Sequence, residues 1–483
     1  MQTKAQNNFK PILHFSPKKN WLNDPNGLIY FKGEYHLFFQ HNPNETVWGP
    51  MHWGHAVSKD LITWEELDIA LWPDELGTIF SGSAVVDWDN TTGFFPDEPG
   101  LVAIFTHHLD RENKPPLQTQ SLAYSHDRGR TWTKYEGNPV LKHPTKIDFR
   151  DPKVFWHKQS KKWVMSLATG QSISFYSSLD LLDWEFESEF GEGIGCHDGV
   201  WECPDLFELP VEGSDEKKWV LIVSIGDNDK FDFGSRTQYF IGTFDGSKFV
   251  PDDESIKWLD FGKDNYAGVS FSDIPKEDGR RIYVGWMSNW RYANQLPTIG
   301  WRNQMTLPRT LVVQKQNDSM TVIQKTVQEL DLYFKRAMAF ENEIIKETFE
   351  KDLDENQSAL EIVANIKNLD SKQFGVVINH TDDQYTEIII EPENKLMTLS
   401  REKSGIIDFS ENFKNDQLVE LDDIDHINLR IIIDRSSIEV FVNDGFYALT
   451  SLIYPDQIGN NISFFAKGGE IKLENGYVAT SRK

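Results

Sequence analysis

The sequence predicts an all-β chain in two parts, a five-bladed β-propeller followed by a β-sandwich. Three observations carry this reading. All 16 Trp lie at or before Trp301, and the final third of the chain has none. A turn of the form Ser-x-Asp shortly before Trp recurs through the first part. Three carboxylates each stand near a Pro at the head of an apolar run. The expected division is a propeller over 1–325, a linker with helical spacing over 326–339 and a sandwich over 340–483.

The recurring turn appears as Ser58-Lys59-Asp60 before Trp64, Ser125-His126-Asp127 before Trp132 and Ser178-Leu179-Asp180 before Trp184. A degraded copy, Thr243-Phe244-Asp245-Gly246, precedes Phe249. Units of roughly 60 residues, each with room for several short strands, are somewhat longer than ordinary propeller blades, and about five of them fill the first 320 residues. The turns themselves read as a hairpin solution repeated for stability.

The carboxylates lie outside those turns. Trp21-Leu22-Asn23-Asp24-Pro25-Asn26-Gly27 opens the run Leu28 to Phe31, Phe149-Arg150-Asp151-Pro152 opens Lys153 to Trp156, and Trp201-Glu202-Cys203-Pro204-Asp205 opens Leu206 to Leu209. Pro cannot donate to a ladder, so these are strand starts or edges rather than strand centres. Blades present the ends of their inner strands to one central funnel, where Asp24, Asp151 and Glu202 would converge although far apart in sequence.

Between the two parts, Thr326 to Met338 is the best helix candidate, with Val327, Leu330, Leu332, Phe334 and Met338 loosely on one side. Beyond it come strand-like runs at Leu360–Ala364, Phe374–Ile378, Thr386–Ile390, Leu429–Ile433 and Ser437–Val442, with Asn443-Asp444-Gly445 as a hairpin turn. A β-sandwich accounts for them.

Composition narrows the partners. With 49 Lys plus Arg against 75 Asp plus Glu, the net charge of −26 repels phosphate backbones and acidic membranes, so neither nucleic acid nor a membrane is expected as a partner. The longest apolar run, Trp219 to Val223, is far too short to span a bilayer, and the first ten residues lack the apolar core of a secretory signal. The sequence as it stands reads as cytoplasmic, or as a mature secreted form whose leader has been removed. Cys196 and Cys203 exclude a disulfide framework; one bridge between them stays open, with free thiols favoured.

A carboxylate nucleophile, a protonated carboxylic acid and nearby aromatics are what glycoside hydrolysis requires. Trp21, Trp48, Trp53, Trp201 and Trp286 are candidates for flat apolar faces against sugar rings. His36, His41, His52 and His55 crowd one region, but their spacings of 5, 11 and 3 fit no zinc motif, so neither metal nor cofactor is expected. Cys203 reads either as a thiol tuning Glu202 or as a structural residue, and Asp205 either as a supporting partner or as a turn residue.

Taken in order, WLNDPNG at 21–27, FSGS at 80–83, FRDP at 149–152, WECPD at 201–205 and GWMSNW at 285–290 resemble glycoside hydrolase family 32, the β-fructofuranosidases. Asp434 to Phe441 resembles that family's sandwich motif, so the likeness spans both parts. The resemblance implies a retaining mechanism through a covalent fructosyl-enzyme. Asp24 would be the nucleophile, Glu202 the general acid and then base, and Asp151 the stabiliser of the transition state. It also implies that Asn23, Gln40, Trp48, Ser81, Arg150 and Trp286 line the subsite for a terminal fructose. The implied substrates are levan, inulin, fructo-oligosaccharides and sucrose. Rival readings are an invertase or sucrose-6-phosphate hydrolase of the same family, an endo-acting fructanase, an inverting five-bladed hydrolase, and a non-catalytic fructan-binding propeller.

Overall fold

The computed structural model describes residues 9–228, 233–316, 319–353, 357–459 and 461–482. Its first part holds five antiparallel sheets whose innermost strands are Asn20–Phe31, Thr78–Asp87, Arg150–His157, Trp201–Pro210 and Tyr266–Ser270. Each inner strand packs on the next and the fifth packs back on the first, so the sheets form a closed ring. The chain seals that ring late, when Trp301–Arg302 pairs in parallel with Asn20 and Trp21 at the edge of the first sheet.

The Ser-x-Asp turns connect the third and fourth strands of successive sheets. In the first, Asp60 Oδ1 accepts the amides of Ile62 and Thr63 while Trp64 Nε1 donates to the Leu61 carbonyl over 2.9 Å. Asp180 and Trp184 repeat this with Leu182, Asp183 and Leu181. In the degraded copy Asp245 Oδ1 still accepts two amides, from Ser247 and Lys248. The carboxylate closes the turn and the indole covers it, so the repeat is a local structural device.

The inner strands share a second feature. Register slips occur between Leu22 and Pro25, Ile79 and Gly82, Arg150 and Lys153, Glu202 and Asp205, and Tyr266 and Val269. All five strands are therefore bulged at the same level of the axis, and a bulge re-aims the side chains at the slip. Pro152 and Pro204 sit inside these slips, where no ladder amide is needed, and Pro25 is the residue at which the first slip ends. The strands begin before the Pro residues rather than after them, as the sequence alone suggested. Gly27 follows with φ of 52°, and a Cβ there would stand 2.6 Å from the Phe38 ring, so the backbone beneath the first bulge has room only for hydrogen.

The segment 326–339 is not a helix. It makes one short 3-10 turn, Gln328–Tyr333, and then the strand Phe334–Ile345, which pairs along Ile471–Ser481. Val327 and Leu330 are buried, but Leu332 is 68% exposed, so the apolar stripe that suggested a helix does not have one face. A ladder along nearly the whole C-terminal strand outweighs a weak local preference.

The second part is two six-stranded sheets face to face over a core that includes Leu360, Ile362, Val376, Ile388, Leu429 and Phe464. Tyr385–Glu391 alternates half-buried and buried residues as an outer strand should. Ser437–Val442 and Tyr447–Leu452 are buried on both faces, and Asn443-Asp444-Gly445 turns between them with positive φ at all three residues. One face of this hairpin meets the sandwich core. Glu439 and Thr450 on the other face reach propeller groups: Glu439 Oε2 accepts from Arg309, and the Thr450 hydroxyl donates to Asp260.

Candidate active site

The bulges bring Asp24, Ser81, Asp151 and Cys203 together around the axis. Ser81 Oγ donates to Asp24 Oδ2 over 2.6 Å, and Asn23 Nδ2 donates to Asp24 Oδ1 over 3.0 Å. The Cys203 thiol lies 3.5 Å from Asp24 Oδ2 and 3.6 Å from Asp151 Oδ2, while its amide donates to Asp151 Oδ2 over 3.0 Å. Asp151 and Cys203 both adopt positive φ, 63° and 47°, a conformation that non-glycine residues hold only where surrounding structure compels it. The amide of Asp151 is taken by Thr106 Oγ1 of the neighbouring sheet.

Glu202 faces this group from the fourth sheet. Its Oε1 accepts from Arg150 Nη2 over 3.0 Å and its Oε2 accepts from the Tyr266 hydroxyl. Arg150 also bonds Asp148 and Gln118 and lies 3.9 Å from Asp151 Oδ2, so one guanidinium ties the second and third carboxylates together. Burial pushes the Tyr266 phenol well above its usual range, and the Glu202 charge pushes it further the same way, so it is a proton donor to Glu202 at any ordinary pH. The Cys203 thiol is likewise raised by burial and by the carboxylates around it, and stays a neutral S–H.

Asp24 and Asp151 are both less acidic than free aspartates. For Asp24 burial is the largest cause, opposed by the Ser81 hydrogen bond and reinforced by Glu202. For Asp151 burial again leads, Arg150 pulls back, and Glu202 and Asp24 add repulsion, which sets its pKa at about 7. Asp24 and Asp151, two acids in one desolvated pocket, resist ionising together.

The structure sorts the expected site residues. Asp24, Asp151, Glu202, Asn23, Ser81 and Arg150 form one connected group. Gln40 is buried and joins indirectly: its Nε2 donates to Asn26 Oδ1, and Asn26 donates to the Asp24 carbonyl. Trp48 is 46% exposed, with its amide bonded to Asn294 and its ring edge-on to Phe80. Trp286 does not face the pocket: it is 0% exposed, packed among Trp21, Trp290 and Tyr266, with its Nε1 unbonded. Trp21, Trp53 and Trp201 are also fully buried, so of the five Trp considered as sugar faces only Trp48 has an open ring. Large aromatics pack into the core unless something holds them out.

Among the crowded histidines, His36 bonds His55, His41 bonds the Trp21 carbonyl and His52 the Pro50 carbonyl. Asp205 is buried in its strand, its Oδ2 accepting the Ser270 amide. Both cysteines are free and buried. Tyr266 escaped the sequence reading: the fifth inner strand enters its bulge as Tyr266-Ala267-Gly268, with neither an acid nor a Pro to mark it. The only available signal was its place, one blade beyond Glu202.

A propeller funnel holding one buried carboxylate, a second bound to a phenol and a guanidinium, and a third between them has the groups of a glycosidase. The chain matches the glycosyl hydrolases family 32 N-terminal domain over residues 14–325 and the glycosyl hydrolases family 32 C terminal over 329–480, and it belongs to that family. It is 47% identical to a levanase of Bacillus subtilis over 97% of this chain and 69% of the relative. It is 36% identical to the extracellular exo-inulinase inuE of Aspergillus niger, over 94% of this chain and 91% of that protein. The crystal structure of exo-inulinase from Aspergillus awamori superposes with a TM-score of 0.91 at 32% identity, covering 98% of each chain.

Proposed function

We propose that the protein removes terminal β-D-fructofuranosyl units from fructans and sucrose with retention. Asp24 acts as nucleophile, Glu202 as acid and then base, and Asp151 as the acceptor of hydrogen bonds from the fructose hydroxyls. In the first step an Asp24 oxygen bonds to the anomeric carbon while Glu202 gives its proton to the glycosidic oxygen, and the leaving alcohol departs. In the second, Glu202 takes a proton from water, whose oxygen attacks the same carbon and releases fructose and Asp24.

The observation that carries this reading is the closure of the axis behind Asp24. Ser81, Asp24, Cys203 and Asp151 touch in sequence across it, so a sugar that reaches Asp24 has no room to continue beyond. A closed floor supports recognition of a chain end. Arg150 and Tyr266 hold Glu202 by both oxygens, which supports a fixed orientation of this carboxyl beside the leaving group. The names of the levanase and exo-inulinase relatives support the same substrate class. Early digestion of levan or inulin is expected to give free fructose almost alone. Oligosaccharides as the dominant first products would show a cleft open at both ends and sink the exo assignment.

A further inference from the structure

A second cavity, about 920 Å³, opens at the other end of the propeller axis. The carboxylates stand at the N-terminal ends of the inner strands; this cavity is lined further along the same strands, by Val85 and Val86, Lys153, and Asp205 through Glu208, and by Phe271 just past the fifth. The contacts between Asp24, Cys203 and Asp151 separate the two ends. It is large enough for a small organic ligand or a short stretch of polymer, since such pockets run roughly 300–1,000 Å³.

Its walls and floor differ in chemistry. Trp88 is 57% exposed and held in place by its Nε1 bond to Asp273 Oδ1 over 2.8 Å, and half-buried Trp156 also lines the cavity. Lys153, Asp205, Asp273 and Arg281 are among the charged groups that share the lining. Lys153 is 3.5 Å from Asp205 Oδ2, which also accepts the Ser270 amide, but Asp205 Oδ1 is buried without any hydrogen-bond partner, and Asp205 is 0% exposed. Arg281 lies over the Phe207 ring and uses only Nη1, to Ser270 Oγ and the Phe271 carbonyl; among the described residues no carboxylate is within salt-bridge distance of it. Lys153 and Arg281 balance Asp205 and Asp273, and of the other cations in the lining Lys217 is paired with Glu208 and Arg280 with Asp278 and Glu329. Unused guanidinium donors beside an open indole suit the hydroxyls of a ring with an apolar face.

We propose that this distal cavity is a second, non-catalytic carbohydrate site that holds an internal stretch of the fructan whose end enters the funnel of another, or the same, enzyme molecule. The inference rests on the substrate reading above. Trp88 supplies the stacking face, and Arg281 binds the hydroxyls. A second point of attachment raises the effective concentration of polymer ends near Asp24 without touching the chemistry.

The test uses native electrophoresis through gels containing soluble levan or inulin, with Asp24→Asn protein so that the polymer stays intact, and dextran gels as control. Retardation should persist in saturating free fructose, which fills the terminal site, and should fall at least fivefold in Trp88→Ala and in Arg281→Gln on that background. In the active protein both changes should lower kcat/KM on polymer at least threefold while leaving sucrose within twofold. Retardation abolished by fructose, unchanged by both substitutions, or lost together with an equal fall on sucrose would each overturn the site. The two readings fail separately: no fructose released from polymer by the unaltered enzyme removes the substrate assignment, whereas normal release with unaltered retardation removes only the distal site.

Discussion

Two groups of buried carboxylates sit in this molecule and behave in opposite ways. Around the axis, Asp24 and Asp151 are raised because burial and mutual repulsion outweigh the partners they have. At the junction of the two domains, Asp434 and Glu439 are as deeply buried but are lowered, because partners outweigh burial. Asp434 accepts the amides of Ile12 and Leu13 and bonds His14, whose other nitrogen bonds Glu439; Glu439 also binds Arg309 over 2.9 Å. Burial alone would lower His14, yet its bonds to these two acids raise it to about 9. The lesson is that an acid buried for structure is given every partner it can use, while one buried for chemistry is left short, so that substrate supplies the rest.

The largest expected break is Asp24→Asn. Turnover should fall by several orders of magnitude with the melting temperature no lower than in the parent, because the site loses a strained charge and almost no volume. Retention of more than about a hundredth of the activity would remove Asp24 as nucleophile. Next is Glu202→Gln, expected to cost about 100-fold or more on sucrose but less on an activated aryl fructoside, whose leaving group needs little protonation. Equal deficits on both substrates would argue against the acid role.

At the junction the expectation reverses. Arg309→Met should lower stability by about 3–5 kcal/mol, since it strands Glu439 and Asp260 as buried charges, while the folded fraction keeps near-normal kcat. A fall in kcat with unchanged melting would place Arg309 in the wrong group. Smaller still is Asp151→Asn. The folded pKa of Asp151, about 7, lies above that of an unfolded aspartate, so the stability it contributes is present at low pH and lost as pH rises through 7. Replacing it should raise the melting temperature by a few degrees at pH 8 and by little at pH 4, while activity collapses. A loss of stability at pH 8 would contradict the account of that carboxyl. His14 shares Asp151's sign but belongs to the other group. Its contribution is complete below about pH 6.5 and lost as pH rises through about 9, so His14→Gln should narrow its gap from the parent above that range.

How much of this could be read from the chain depends on which residues announce themselves. Asp24, Asp151 and Glu202 were legible because each stands beside a Pro where an apolar strand begins, and that grammar is the bulge seen from the sequence. Ser81 occupies the same bulge in the second strand but carries neither acid nor Pro, so only family resemblance pointed to it. Tyr266 had neither aid and was missed. Trp286 was assigned to the sugar because exposure of an indole cannot be judged from its neighbours in sequence; packing against Trp21 and Trp290 decides it. The 326–338 stretch looked helical because helical spacing is local, whereas the ladder that makes Phe334–Ile345 a strand comes from Ile471–Ser481, more than a hundred residues away.

The seal at Trp301–Arg302 bears on the order in which a living cell can make this site. The strand that bears Asp24 is made well before its partners, yet its edge stays open until residue 301 pairs with Asn20, and Asn303 must arrive to take the Leu22 carbonyl. The segment just before it, Ile12 to His14, waits longer, for Asp434 and Glu439. A nascent chain can therefore carry all three carboxylates for most of its synthesis without being able to hold them in register. The register of the Asp24 strand is thus set by contacts with residues 301–303, and that of the segment before it by the sandwich.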